Sequence, residues 1–249
     1  MNLRSWMAAA CFALALSGTP GCEPTPPPSP YAFPVQLGTA GQDNAFGVAA
    51  DGSGNVYIAG WTDGVFPGVA AEGYIDLFVV KLDGGGAQQW IQQYGTTKND
   101  YARGVALDGS GNLYVAGYTT GTFPGFTNPG GAELLVIGLD GSGGMRWAQQ
   151  LGAGDETVAN GVATDSNGNV LVAGETFGSL PGFTSTGIVD LFVIKYDGGG
   201  ARQWIQQMGA GGSLDSTHAN GVATDGSGNV YVAGYTSGSF NGSSNAGGH

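Results

Sequence analysis

The sequence predicts an all-β fold assembled from repeated four-stranded units, and three observations predict it. The segment Gly-Val-Ala-x-Asp-x-x-Gly-Asn occurs four times, starting at Gly47, Gly104, Gly161 and Gly221, at intervals of 57, 57 and 60 residues. A repeat of that length points to a propeller, solenoid or array. Short apolar runs rich in β-branched and aromatic residues recur between these segments, which is a strand signal. Glycine supplies 49 of the 249 residues, about three times the usual ~7% share. It sits at the ends of the runs, where tight turns favour it.

Each unit divides into four strand candidates. The first is short and small: Gly47-Val48-Ala49, Gly104-Val105-Ala106 and their equivalents. A turn of the form Asp51-Gly52-Ser53-Gly54-Asn55 leads to the second strand, Val56 to Gly60, matched by Leu113 to Gly117, Val170 to Gly174 and Val230 to Gly234. The third is Leu77 to Val80, matched by Leu134 to Ile137 and Leu191 to Ile194. A Gly-rich turn after Asp83, Asp140 or Asp197 leads to the fourth, built around Trp90, Trp147 and Trp204. Residue size along the unit suggests the architecture. A small first strand suits the crowded axis of a propeller blade. Bulky second and third strands without polar alternation suit burial on both faces. The Trp-Gln fourth strand suits the outer edge, with tryptophan between neighbouring blades and glutamine toward water. The expected fold is therefore a β-propeller of four-stranded antiparallel blades, about four in number, with the last incomplete.

Ring closure rests on both ends of the repeat region. Phe33-Pro34-Val35-Gln36-Leu37-Gly38 is like a fourth strand and would complete the last blade. The last unit, however, stops after its second strand, so one strand is missing from a four-blade ring. An unpaired edge is an aggregation hazard, so the expectation is a truncated longer propeller. The organisation read from the chain is a signal segment over 1–22, a Pro-rich tether over 23–30, propeller repeats over 31–240 and a flexible tail over 241–249.

Asp100-Tyr101-Ala102-Arg103-Gly104-Val105-Ala106-Leu107-Asp108, then Gly111 to Thr119, Phe123-Pro124 and the Asp76-Leu77-Phe78-Val79-Val80-Lys81-Leu82-Asp83 pattern resemble the bacterial SBBP β-propeller repeat. The resemblance covers about Phe33 to Phe240. It implies a propeller, usually in exported or surface proteins, and implies no established catalytic residues.

The N-terminus reads as an export signal. Arg4 precedes the uncharged apolar stretch Trp6 to Leu16, which has the length of a signal-peptide core and is too short to span a bilayer. Small and turn-prone residues then lead to Cys22, and the region resembles a bacterial lipoprotein signal, although Thr19 and Pro20 depart from its usual pattern. That resemblance implies lipidation at Cys22 and an exported protein anchored in the cell envelope or at its surface; the alternative is plain secretion. The Pro-rich run Glu23 to Pro30 is stiff and extended. Cys11 and Cys22 both precede the repeats, so they offer the propeller no disulfide. Seven basic residues face nineteen acidic ones, for a formal charge of −12. Nucleic acid is not an expected partner, because phosphate binding needs clustered positive charge.

Trp61, Tyr118, Glu175 and Tyr235 share one position at the end of the second strand, where the residue type varies while its neighbours stay fixed. They are the ligand-binding candidates, since strand ends feed the loops that carry function; the competing expectation is packing against Phe66, Phe123 and Phe240. Asp51, Asp108, Asp165 and Asp225 read as turn residues bonding their own backbone, with calcium binding the alternative and no other cofactor expected. Asp76, Glu133 and Asp190 read as structural acceptors of backbone hydrogen bonds. Trp90, Trp147 and Trp204 read as blade-to-blade packing, and His218 as a polar loop residue. No catalytic residue is expected. The functional expectation is a non-catalytic binding or scaffold module for a protein or glycan. The alternatives are a metal-assisted lyase or hydrolase with an axial site, and a purely structural surface protein.

Overall fold

Repetition in the sequence becomes repetition in the structure. The computed structural model describes residues 35–240, residue 213 excepted. The signal segment, Cys22, the tether and the tail lie outside the described residues. Within them lie fourteen strands and no helix. Blade 1 is β1 (Asp43–Ala50), β2 (Val56–Thr62), β3 (Asp76–Leu82) and β4 (Gln88–Tyr94). Blade 2 is β5 (Asp100–Leu107), β6 (Leu113–Thr119), β7 (Glu133–Leu139) and β8 (Met145–Leu151). Blade 3 is β9 (Thr157–Thr164), β10 (Val170–Thr176), β11 (Asp190–Tyr196) and β12 (Arg202–Met208). β13 (Thr217–Thr224) and β14 (Val230–Thr236) form a fourth, two-stranded unit. Every sheet is antiparallel and ordered as the chain runs. This is the predicted propeller architecture, with an incomplete last blade.

The hydrophobic cores lie between blades, because each sheet buries both faces of its middle strands. Tyr57, Ala59, Leu77 and Val79 of blade 1 pack with Ala102, Val105, Val115 and Ile137 of blade 2. Ala116, Leu134 and Val136 pack in turn with Val170, Val172 and Phe192 of blade 3. First strands stack on first strands: β1 touches β5, β5 touches β9 and β9 touches β13. Their approach is close enough to require glycine. A Cβ on Gly47 would lie 2.8 Å from the Val105 nitrogen, and one on Gly161 would lie 2.9 Å from the Gly221 Cα.

Hydrogen bonds repeat across the same boundaries. Thr164 Oγ1 donates to the Leu107 carbonyl at 2.6 Å, and Thr224 Oγ1 to the Thr164 carbonyl at 2.8 Å. Trp90 Nε1 donates to the Gly141 carbonyl at 3.2 Å and Trp147 Nε1 to the Gly198 carbonyl at 3.1 Å, so these tryptophans join neighbouring blades as expected. Trp204 faces the incomplete blade and is 37% exposed.

Three local expectations are corrected. The first strands are eight residues long, starting four residues before Gly47, Gly104, Gly161 and Gly221. His218 is therefore the second residue of β13, not a loop residue. The last glutamine of each outer strand is buried, not turned to water. Gln93 Oε1 accepts from the Phe66 N–H at 2.7 Å while its Nε2 donates to the Gly64 carbonyl at 3.0 Å. Gln150 and Gln207 do the same for Phe123 and Leu180, so each clamps the long β2–β3-type connection. Finally, Val35 to Gly38 form no strand and do not pair with β14. Leu37 packs instead on the free side of blade 1, beside Ile58, Phe66 and Phe78. Thr39 then bonds Asp43 as Thr96 bonds Asp100. The segment thus takes the seat of a fourth strand with no strand paired to it among the described residues.

Candidate functional site

A β-bulge in every first strand builds the site. The register between first and second strands skips one residue: Phe46 in β1, Arg103 in β5, Asn160 in β9 and Asn220 in β13. A bulge kinks its strand and re-aims side chains, and here it falls at the fourth of the eight residues of each first strand. Opposite the residues just before the bulge lie the second-strand candidates. Trp61 pairs with Asn44, Tyr118 with Tyr101, Glu175 with Val158 and Tyr235 with His218.

These side chains touch one another from blade to blade. Trp61 meets the edge of Tyr101 with ring centroids 5.6 Å apart. Tyr101 stacks on Tyr118 at 4.5 Å and 20°. The Arg103 guanidinium lies 5.3 Å from the Tyr118 ring centroid, and its Nη1 donates to Asn160 Oδ1 at 3.4 Å. Asn160 Nδ2 reaches Glu175 Oε2 at 3.4 Å and the Ala219 carbonyl at 3.0 Å. Glu175 Oε2 lies 2.6 Å from His218 Nδ1, and His218 stacks on Tyr235 at 4.4 Å and 17°. All four sequence candidates therefore belong to one continuous band spanning four blades. The expected packing against Phe66 and Phe123 is not what holds them: both phenylalanines are buried in blade cores, and Phe66 packs edge-on against Phe78.

The band offers aromatic faces flanked by a guanidinium, an amide, a carboxylate and an imidazole. Each aromatic pair is worth ~0.5–1.5 kcal/mol beyond burial, which holds the rings in place before any ligand arrives. Burial, with the neighbouring Tyr118, holds the Tyr101 hydroxyl above its usual pKa, so the Tyr101 ring stays neutral. Arg103, Tyr235 and Phe46 remain exposed. Sequence reading missed Tyr101, Arg103 and Asn160 as members of the band. Their signal was variation at a fixed offset before Gly-Val-Ala, the same signal that singled out Trp61, Tyr118, Glu175 and Tyr235.

The other candidates lie elsewhere. Asp51 Oδ1 accepts from the Ser53 and Asn55 N–H groups at 2.9 Å, and its Oδ2 accepts from Asn55 Nδ2 at 2.7 Å. Asp108, Asp165 and Asp225 repeat this turn, with Gly54 and its equivalents at positive φ. At Asp165 burial pushes the carboxyl pKa up, but bonds from Asn169 and Lys195 outweigh it and bring it to about 2. Asp76, Glu133 and Asp190 are buried at separate blade boundaries. Asp76 accepts from the Glu72 N–H, Glu133 from Gln150 and Asp190 from Gln207. Among the described residues no three His, Cys, Asp or Glu side chains converge as a metal site, and no helix is long and apolar enough to cross a membrane.

The repeat is also recognisable by comparison with known proteins. The SBBP β-propeller repeat matches four times, over residues 35–67, 89–124, 146–181 and 203–241, more than half of the chain. The chain belongs to the SBBP β-propeller repeat family. The family's repeat begins at the outer strand, and its first match includes Val35 to Gly38, the segment seated beside blade 1. An uncharacterized WD repeat-containing protein of Acanthamoeba polyphaga mimivirus is 29% identical over 156 residues. That alignment covers 52% of this SBBP chain and 11% of the viral protein. A crystal structure of a protein of unknown function from Bacteroides caccae aligns over 70% of this chain and 84% of its own, at 13% identity and a TM-score of 0.22. So low a score supports no argument about the SBBP chain.

Proposed function

We propose that this SBBP propeller is a non-catalytic binding or scaffold module, held at the cell envelope through a lipid on Cys22, that takes a glycan or protein partner on its axial band. The observation that carries the reading is the unbroken contact from Trp61 through Tyr101, Tyr118, Arg103, Asn160, Glu175 and His218 to Tyr235. Flat rings flanked by charged and amide groups suit a sugar best: the ring faces stack on its C–H face and the polar groups take its hydroxyls. Because the residues come from rigid strands and lock one another, little entropy is lost on binding.

The test is a screen of immobilised glycans and envelope extracts with the full chain, followed by titration calorimetry on any hit. Tyr118→Ala is expected to weaken binding by about 2 kcal/mol, the scale of a binding hot spot, without changing the unfolding midpoint by more than a few degrees. A hit whose affinity is indifferent to Trp61→Ala, Tyr118→Ala and Tyr235→Ala would place binding elsewhere.

The anchor makes its own prediction. Cys22→Ala is expected to abolish incorporation of labelled palmitate and to move the protein into the soluble fraction. Equal labelling of variant and parent would leave plain secretion as the better account.

A further inference from the structure

Charge is placed unevenly along the axial band, and its placement selects a class of sugar. The bulge residue differs from blade to blade: Phe46, Arg103, Asn160 and Asn220. Only blade 2 puts a cation there. Lys81, Arg146, Lys195 and Arg202 lie beside the turns between third and fourth strands, at the other end of the blades, and Lys98 lies outside the strands.

Arg103 is held in place but not used up. Its guanidinium lies over the Tyr118 ring, 5.3 Å from the centroid. Its bond to Asn160 Oδ1 is 3.4 Å long, beyond the usual range of about 2.7–3.2 Å. Among the described residues the ion pairs are Lys195 with Asp165 and His218 with Glu175, so no protein carboxylate sits on Arg103. The residue is exposed, and its guanidinium carries several N–H donors in one plane. Glu175, by contrast, is occupied. Its Oε2 accepts from Asn160 Nδ2 at 3.4 Å and lies 2.6 Å from His218 Nδ1. Among the described residues the band therefore holds one unanswered charge, which is positive and belongs to blade 2.

We propose that the band takes an acidic sugar, a uronate whose carboxylate sits on Arg103 while its hydroxyls turn toward Asn160 and Glu175. This rests on the band being a glycan site. A carboxylate matches the guanidinium fork with a pair of parallel hydrogen bonds. Tyr118 beneath the guanidinium restricts its motion beforehand, so less side-chain freedom is lost on binding. The Glu175 carboxylate repels that of the sugar, which fixes the direction in which the sugar lies. The formal charge of −12 bounds the charge density of the ligand. Repulsion from the wider surface is screened beyond ~8 Å at physiological salt. An isolated carboxylate in an otherwise neutral glycan is therefore accepted, and a densely charged polyanion is not.

The probe is a panel of uronate-containing oligosaccharides, each paired with its carboxyl-reduced counterpart, in which a hydroxymethyl group replaces the carboxylate. Each is titrated against the full chain by calorimetry. At least one acidic sugar is expected to bind about tenfold or more tighter than its reduced counterpart, as for a close charge pair. Arg103→Gln is expected to bring the two affinities together. Arg103→Lys keeps the charge but loses the fork, and its preference falls between those of parent and Arg103→Gln. Because Arg103 is exposed, neither variant is expected to change stability by more than about 0.5 kcal/mol. The acidic assignment is overturned, and the glycan reading left standing, if the reduced sugars bind as well as the acidic ones or if Arg103→Gln keeps the preference. Tighter binding of an Asp-rich peptide than of any acidic sugar also overturns it, and gives Arg103 to a protein partner. If no member of any pair binds, the glycan reading itself falls and takes the assignment with it.

Discussion

Trp147→Ala is expected to destabilise the protein by about 3–5 kcal/mol, the range for removing a large core aromatic, while Trp204→Ala costs less than about 1 kcal/mol. The two residues occupy the same place in their repeats and differ in what lies against them. Trp147 packs between Tyr114 and Tyr196 and donates to the Gly198 carbonyl of blade 3. The turn fits it so closely that a Cβ on Gly200 would come within 2.7 Å of its ring. Removing the indole leaves a cavity between two blades and an unanswered carbonyl. Among the described residues Trp204 has only the two-stranded unit of β13 and β14 on that side. Guanidinium unfolding followed by intrinsic fluorescence measures both. Equal losses at the two positions would mean that the tryptophans act within their own blades, not between them.

Asp100→Thr is expected to raise the unfolding midpoint at pH 7 by roughly 2–4 °C, equivalent to about 1 kcal/mol in a domain of this size, and to flatten the pH dependence above pH 4. Asp100 and Asp76 are both buried where blade 1 meets blade 2, at 0% and 2% exposure, and Oδ1 of each lacks a hydrogen-bond partner of ordinary geometry. Burial raises both pKa values, and the charge of Asp76 adds to the shift at Asp100. A carboxyl raised in the folded state contributes stability that is complete below its unfolded pKa. That stability is lost as pH rises through the folded value. The parent is therefore expected to lose stability as pH climbs above about 4, once the unfolded carboxylates have ionised. The turn aspartates act in the opposite direction. Asp165 and Asp225 are lowered to about 2, so their contribution is constant above pH 4 and is lost only in stronger acid. The other boundaries already carry threonine at the equivalent of Asp100, in Thr157 and Thr217, so Asp100→Thr uses a residue the fold accepts there. Thermal unfolding between pH 4 and 8 is the measurement. Parallel curves for parent and variant would remove Asp100 as the source.

The blades were legible because their cores repeat. Val-Tyr-Ile-Ala-Gly and Leu-Phe-Val-Val mark buried middle strands whatever surrounds them, and Asp-x-x-Gly-Asn marks the turn between strands one and two. The beginnings of the first strands were not legible. Asn44, Tyr101, Val158 and His218 share no chemistry, and the bulge at Phe46, Arg103, Asn160 and Asn220 breaks the two-residue alternation that signals a strand. That gap hid His218 in an apparent loop and half of the axial band with it. Gln93, Gln150 and Gln207 misled for a different reason. An outer strand with polar residues reads as solvated, yet each of these glutamines turns inward to bond the connection after the second strand. Trp61, Tyr118, Glu175 and Tyr235 stand out by contrast, as variable residues among fixed neighbours, a signal the repeats alone carry.

The hydroxyl bonds that step from Thr224 to Thr164 and from Thr164 to Leu107 never skip a blade, and the hydrophobic cores follow the same rule. Stability in such an arrangement is a sum over adjacent pairs, so damage to one unit is felt by its neighbours and fades beyond them. Evolution can lengthen or shorten a chain of this kind by copying or deleting whole modules, since each carries both halves of the joint it needs.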